Sequence, residues 1–226
     1  MRILALETSG PLASVAALDG NNLLAQMELN PSTRSAASLA PAVRELLSRA
    51  DWPPASVELV AVAIGPGSFT GLRIGVTTAK VFAYAVGAEL IGVNTLDVVA
   101  RQVPTEIARR SLSAVLDAGR GQVFARRFER QDDDSCAPTG ETAIEPIEEW
   151  LRQLEPEDAV TGPALESLAD RIPSGVSVVD ALHWRPMAAT VGRLAALRHA
   201  AGQREDVWKL APLYLRRSAA EEKRDR

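Results

Sequence analysis

Cysteine is almost absent. Cys136 stands alone among 226 residues, so the chain has no disulfide framework and no cysteine cluster for zinc or an iron–sulfur centre. His183 and His199 are the only histidines; they fall on separate predicted elements and form neither H-x3-H nor H-E-x2-H, so no helix presents two imidazoles to a metal. Aromatic residues make up 4% of the chain, which favours helices packed against a sheet over a sandwich or barrel. A formal net charge of -4 leaves no global footprint for nucleic acid. No apolar run approaches the roughly 18 residues of a membrane span, and the opening "MRILALETSG" reaches Glu7 too soon for a signal-peptide core. A soluble cytoplasmic protein without membrane contact is expected.

What is present is an alternation of short apolar strands and amphipathic helices. Arg2–Leu6 and Ala13–Leu18 read as strands, and "DGNN" turns the chain back into a third, Leu23–Leu29. Leu39, Val43, Leu46 and Leu47 recur at helical spacing from Ser38 until "DWPP". Val57–Gly65 reads as a buried strand, followed by a helix over Phe69–Val86, the strand "ELIGV" and a helix from about Leu96. A fainter version of the same order follows: strands "SLSAVLDA" and "QVFARRF", a loop at Asp132–Ser135, a strand near Ala143 and Ile144, and a helix in "PIEEWLRQL". Then come the strand "DAVTG", the helix "PALESLADRI", the strand "GVSVV" and a helix over Pro186–Ala201 with Met187, Val191, Leu194 and Leu197 on one side. The expectation is an α/β protein of two related units: residues 1–100, completed by the helix at 187–201, then 101–215, with a charged tail at 216–226. Three strands before the first helix separate it from an ordinary dinucleotide-binding fold.

"GPGSFTGLRIG", Gly65–Gly75, is the densest motif. As a phosphate loop it is out of register, because the third glycine of G-x-G-x-x-G falls on Thr70 and Gly71 comes one residue late; no G-K-[ST] follows. Ser68 suits a helix N-cap, and the motif is not the G-x-S-x-G of an activated serine. Gly71, Gly75, Ala79, Ala83 and Gly87 recur every four residues and share a helix face. Glycine inside a helix costs about 1 kcal/mol relative to alanine, so a close backbone approach should offset that cost. Packing on the chain's own sheet and docking of a partner's helix are both open, with Arg73, Thr77, Lys80 and Tyr84 beside the stripe. Glu7, Thr8 and Ser9 end the first strand and Asp117 holds the matching place in the second unit. Such carboxylates could hold magnesium or cap turns; nothing adjacent in sequence completes a metal set.

"ILALETS", "GPGSFTGLRIG", "GVNTLD", "LDAGRGQVF" and "PLYLR" resemble, in this order and over nearly the whole chain, the bacterial TsaB family. The resemblance implies a two-domain actin-like, Hsp70-like fold, each domain a mixed sheet flanked by helices. It implies a non-catalytic subunit without cofactor or metal that pairs with TsaD, and with TsaE in a larger assembly, to make threonylcarbamoyladenosine beside the anticodon of tRNA. The chain would meet tRNA only through that complex, and a homodimer is expected in isolation. The implied partner interface comprises Leu39, Val43, Leu46, Ser68, Phe69, Gly71, Leu72, Arg73, Gly75, Val76, Ala79, Lys80 and Ala83; a vestigial nucleotide region would comprise Glu7, Thr8, Ser9, Asp117, Gly119 and Arg120. The family's "HS-x2-L-x-P" is replaced by "SAASLAP", which has no histidine, and its "DAR-x2-E-V-Y" carries Gln122 and Phe124 in place of glutamate and tyrosine. The competing reading is an actin-like ATPase or small-molecule kinase with Glu7 and Asp117 around magnesium and ATP.

Overall fold

A computed structural model describes residues 1–29, 35–104, 111–131 and 136–216. The loop expected at Asp132–Ser135 and the tail beyond Arg216 lie outside them. The first sheet has the order β3-β2-β1-β4-β5, from β1 (Arg2–Glu7), β2 (Ser14–Asp19), β3 (Asn22–Glu28), β4 (Leu59–Gly65) and β5 (Glu89–Asn94). The opening meander is antiparallel, and β4 and β5 run parallel to β1. Side chains alternate along β1, so Leu4 and Leu6 join the core beneath α1 (Ser35–Arg49) and α2 (Phe69–Val86), with Leu46, Val60 and Val76. Burying such side chains stabilises by about 2 kcal/mol each. α1 starts three residues before the predicted Ser38 and continues through Pro41.

The opposite face of the first sheet carries a helix from far along the chain, α6 (Ala188–Ala200). Its buried positions include Ala188, Val191, Gly192 and Ala195, while Leu197 is exposed. Met187 and Leu194 are only partly buried, so the predicted apolar stripe is corrected to a stripe of mostly small residues. Close approach is the reason. A Cβ on Gly192 would lie 2.5 Å from Leu18 Cδ1 and 3.2 Å from Ala5 Cβ. The first amides of α6 are capped by strands: Ala188 N donates to Ser14 Oγ at 3.0 Å and Ala189 N to Gln26 Oε1 at 3.0 Å.

The second sheet repeats this pattern. β6 (Ser111–Gly119) and β7 (Gln122–Arg130) pair antiparallel, β10 (Ala159–Thr161) lies parallel to β6, and β11 (Ser177–Val178) lies parallel to β10. Two short strands, β8 (Cys136–Pro138) and β9 (Ala143–Pro146), both pair with β7; β8 was not anticipated. Its helices are short: α3 (Thr95–Arg101), α4 (Ile147–Arg152) and α5 (Leu165–Leu168), the last extended only by a 3-10 turn. Trp150 on α4 is buried and its Nε1 donates to Ser113 Oγ at 3.1 Å. Arg126 and Asp97 make an ion pair of 2.6 Å that ties α3 to β7.

The units are Met1–Asn94 with the chain from Met187 on, and Thr95–Pro186. Residues 95–100 therefore belong to the second unit, and 202–215 to the first, where the sequence reading had each on the other side. The helices at the two crossings are exchanged: α3 follows β5 but packs on β6, and α6 follows β11 but packs on β1.

Candidate partner interface

The glycine motif is built around the end of β1. Ser68 N donates to the Ser9 carbonyl at 2.7 Å, which ties the turn before α2 to the segment after β1. Gly67 sits at φ 154° against Ser9, where a Cβ would come within 2.5 Å of the carbonyl oxygen. Inside α2, a Cβ on Gly71 would meet the Thr8 carbonyl oxygen at 2.0 Å and one on Gly75 would meet Thr8 Oγ1 at 2.1 Å. The glycine stripe is thus the channel through which α2 comes down on its own sheet. Ser68 Oγ accepts from Gly71 N at 3.2 Å, the predicted N-cap.

Glu7 is enclosed by this arrangement, with 0% exposure. Its Oε1 accepts from Ser9 N at 2.7 Å and from Ser9 Oγ; Oε2 and Thr8 Oγ1 are buried and have no hydrogen-bond partner among the described residues. Burial pushes the carboxyl up to about 7, against the two Ser9 hydrogen bonds, which pull it down. Asp117, Gly119 and Arg120 lie in the other unit, on the β6–β7 hairpin. There Asp117 is exposed and its Oδ1 accepts from Gly119 N at 2.7 Å. Glu7 and Asp117 each close a local turn. Among the described residues no three His, Cys, Asp or Glu side chains gather into a set that could hold a metal.

Most of the predicted interface residues turn inward. Leu39, Leu46, Gly71, Leu72, Gly75, Val76, Ala79 and Ala83 are buried in the first unit, because apolar periodicity marks the face that meets the sheet. Phe69, Arg73 and Lys80 hold another part of the same unit, a C-terminal strap at residues 205–215. The Arg73 guanidinium lies 3.9 Å over the Phe69 ring and its Nε donates to Tyr214 Oη at 2.9 Å. Lys80 Nζ donates to the carbonyls of Trp208 and Leu210, each at 3.0 Å. Leu213 N donates to the Ile64 carbonyl at 2.7 Å, and Glu205 Oε2 accepts from Gly92 N on the edge strand β5 at 3.0 Å.

Among the described residues, an apolar groove of about 630 Å³ lies open between α1 and α2, lined among others by Val43, Leu47, Trp52, Thr77, Val81 and Phe82. Val43 is the one predicted interface residue that reaches it. Val81 is 64% and Tyr84 67% exposed, on the side of α2 away from the glycine stripe. Large apolar side chains on the solvent side of an otherwise well-patterned helix were the available sequence signal. A concave apolar surface open to solvent is a candidate binding surface.

The chain is 30% identical to the tRNA threonylcarbamoyladenosine biosynthesis protein TsaB of Escherichia coli K12, over 97% of this chain and 96% of that one. It belongs to the TsaB family. The family model for TsaD, tRNA N6-adenosine threonylcarbamoyltransferase, matches residues 24–207. YeaZ from Pseudomonas aeruginosa superposes with a TM-score of 0.80 at 27% identity, covering 95% of this chain and 99% of that one. The activator of 2-hydroxyisocaproyl-CoA dehydratase from Clostridium difficile, solved with bound ADPNP, is similar at 10% identity and a TM-score of 0.50, covering 91% of this chain and 99% of that one; that likeness concerns the fold alone. The fold is the two-sheet actin-like, Hsp70-like one that the sequence resemblance implied.

Proposed function

We propose that this chain is a non-catalytic subunit of tRNA threonylcarbamoyladenosine synthesis, and that it pairs with a TsaD-type transferase through the α1–α2 groove. The observation that carries the reading is an uncovered apolar groove on a chain homologous from end to end with TsaB. TsaB homologues pair with TsaD. In this reading TsaE joins the assembly, tRNA is met through the complex, and in isolation a second copy of the chain competes for the same groove. The setting is the cytoplasm; no helix among the described residues is long and apolar enough to cross a membrane. The ATPase reading finds less support, because Glu7 is enclosed and held by Ser9 rather than offered to a ligand.

The test is co-purification with the TsaD homologue of the same organism, followed by a modification assay with tRNA, threonine, bicarbonate and ATP, with and without this chain. Co-elution and dependence of modification on the chain are expected. ATP hydrolysis by the purified chain, lost on changing Glu7 or Asp117, would replace this reading with that of an ATPase.

A further inference from the structure

One edge of the first sheet is β5, and the end of the chain folds against it. Glu89 N donates to the Glu58 carbonyl, just before β4, at 2.9 Å, so the backbone groups of alternate residues, Gly92 among them, point away from the sheet. At Gly92 both groups are taken by side chains: N donates to Glu205 Oε2 at 3.0 Å and the carbonyl accepts from Arg198 Nη1 of α6 at 2.9 Å. An acceptor and a donor side by side are what a residue of an added strand would offer. The missing side chain lets them in, since a Cβ on Gly92 would lie 2.7 Å from Ile64 Cγ2 and 2.9 Å from Leu210 Cδ1. Further along the strap, Leu213 N donates to the carbonyl of Ile64 at 2.7 Å, the residue that the β4–β5 register passes over between Ala63 and Gly65. Residues 205–215 form no strand themselves. They are held by Lys80, which donates to the carbonyls of Trp208 and Leu210, and by Val207 and Leu210, which pack on the core.

We propose that the strap is an autoinhibitory cover: it occupies the β5 edge in place of a strand, and its release lets β5 pair with β5 of a second copy. The strand itself has little else to prevent this. "ELIGVN" contains neither lysine nor proline, and its run of Leu90, Ile91 and Val93 is of the kind that adds to another strand readily. Its single charge, Glu89, is held by His199 and Arg204 at the root of the same strap. The opposite edge is protected differently, because the register of β3 against β2 shifts at Ala17 and Leu18, and a bulge makes an edge a poor template. β5 keeps register with β4 from Glu89 to Val93. A second copy fits the uncovered edge because two identical strands related by a two-fold axis run antiparallel, and each can then exchange the Gly92 N–H and carbonyl with the other. The cover is independent of the pairing proposed above.

The experiment follows full-length chains by sedimentation velocity and by hydrogen exchange at the Gly92 amide as protein concentration is raised. Val81→Glu is carried by every chain, so that association through the α1–α2 groove does not contribute. In that background, Glu205→Ala combined with Lys80→Met is expected to exchange the Gly92 amide at least tenfold faster when dilute, and to become dimeric with Gly92 protected again when concentrated. Glu205→Ala alone should do the same more weakly, and it decides the matter if the double variant does not fold. Glu205→Gln keeps an oxygen acceptor and should stay monomeric with Gly92 protected. The cover is overturned if Gly92 exchange is unchanged in Glu205→Ala, if the strap variants stay monomeric at every concentration, or if they gain mass without protection returning at Gly92. Equal dimerisation with the strap intact and with it altered would overturn it too, since a covered edge should not pair.

Discussion

The ends of β1 and β6 occupy the same place in two copies of one sheet topology, yet one is sealed and the other open. At β1, Glu7, Thr8 and Ser9 are all buried; at β6, Asp117 is exposed above a turn in which Gly119, Arg120 and Gly121 have φ of 70°, 58° and 72°. The difference begins after the neighbouring parallel strand. Both units leave that strand through a Gly-Pro pair, Gly65–Pro66 and Gly162–Pro163, with similar glycine φ values of 118° and 125°. In the first unit two further glycines let an 18-residue helix settle on Thr8. In the second, "ALESLADRIP" supplies none, and the helix lasts four residues before a 3-10 turn. The glycine stripe is therefore what allows a long helix to cover a strand end.

The harshest way to break this comparison is Gly71→Val. The new Cβ would lie 2.0 Å from the Thr8 carbonyl oxygen, and the loss should exceed about 3 kcal/mol, read as a lower urea midpoint. Gly75→Leu would meet the Thr8 side chain, with Oγ1 2.1 Å from the new Cβ, and would lower the stability of the first unit as well as report on pairing. Next comes pH. Burial raises the folded-state pKa of Glu7 from 4.5 to about 7, so the folded chain keeps a proton that the unfolded chain releases. Its effect on stability is absent below pH 4.5, becomes increasingly unfavourable as pH rises to 7, and is constant above. At about 1.4 kcal/mol per unit this amounts to roughly 3 kcal/mol. Glu7→Gln should flatten that slope in denaturation curves taken across the window; an unchanged slope would mean that Glu7 is not the group responsible. Gly119→Ala has open space around it and only its positive φ to contend with, for a loss of about 1 kcal/mol. Asp117→Asn keeps an acceptor for Gly119 N and should shift stability by less than about 0.5 kcal/mol. Equal losses at Gly71 and Gly119 would remove the distinction between a sealed and an open strand end.

The sequence was most legible where one segment carries its own signals. α2 runs over Phe69–Val86 as predicted, with Ser68 as N-cap and Gly87 in the left-handed C-cap. The meander of β1, β2 and β3 was equally plain from its hairpin turn. Periodicity failed where a distant strand set the terms, as on α6, whose bare Gly192 and small neighbours follow from the closeness of Leu18 and Ala5. It failed differently at the interface. Spacing on its own left the glycine stripe open between the chain's own sheet and a partner; the resemblance placed Leu39, Leu46 and the stripe at the interface, and they are buried within the first unit. Arg73 and Lys80 were placed on the right helix, but their partners are Tyr214 and the carbonyls of Trp208 and Leu210, more than a hundred residues on. No local pattern announces such a strap.

The exchange of α3 and α6 gives the chain an unusual order of assembly. During synthesis the strands of the first sheet emerge early, but the face of β1 and β2 that receives Gly192 stays bare until residues 188–200 have left the ribosome. The second unit has all its elements between Thr95 and Pro186, so the middle of the chain can finish folding before its beginning does. A nascent chain stalled after Pro186 would hold a complete second unit and a first sheet with one apolar face still open to chaperones.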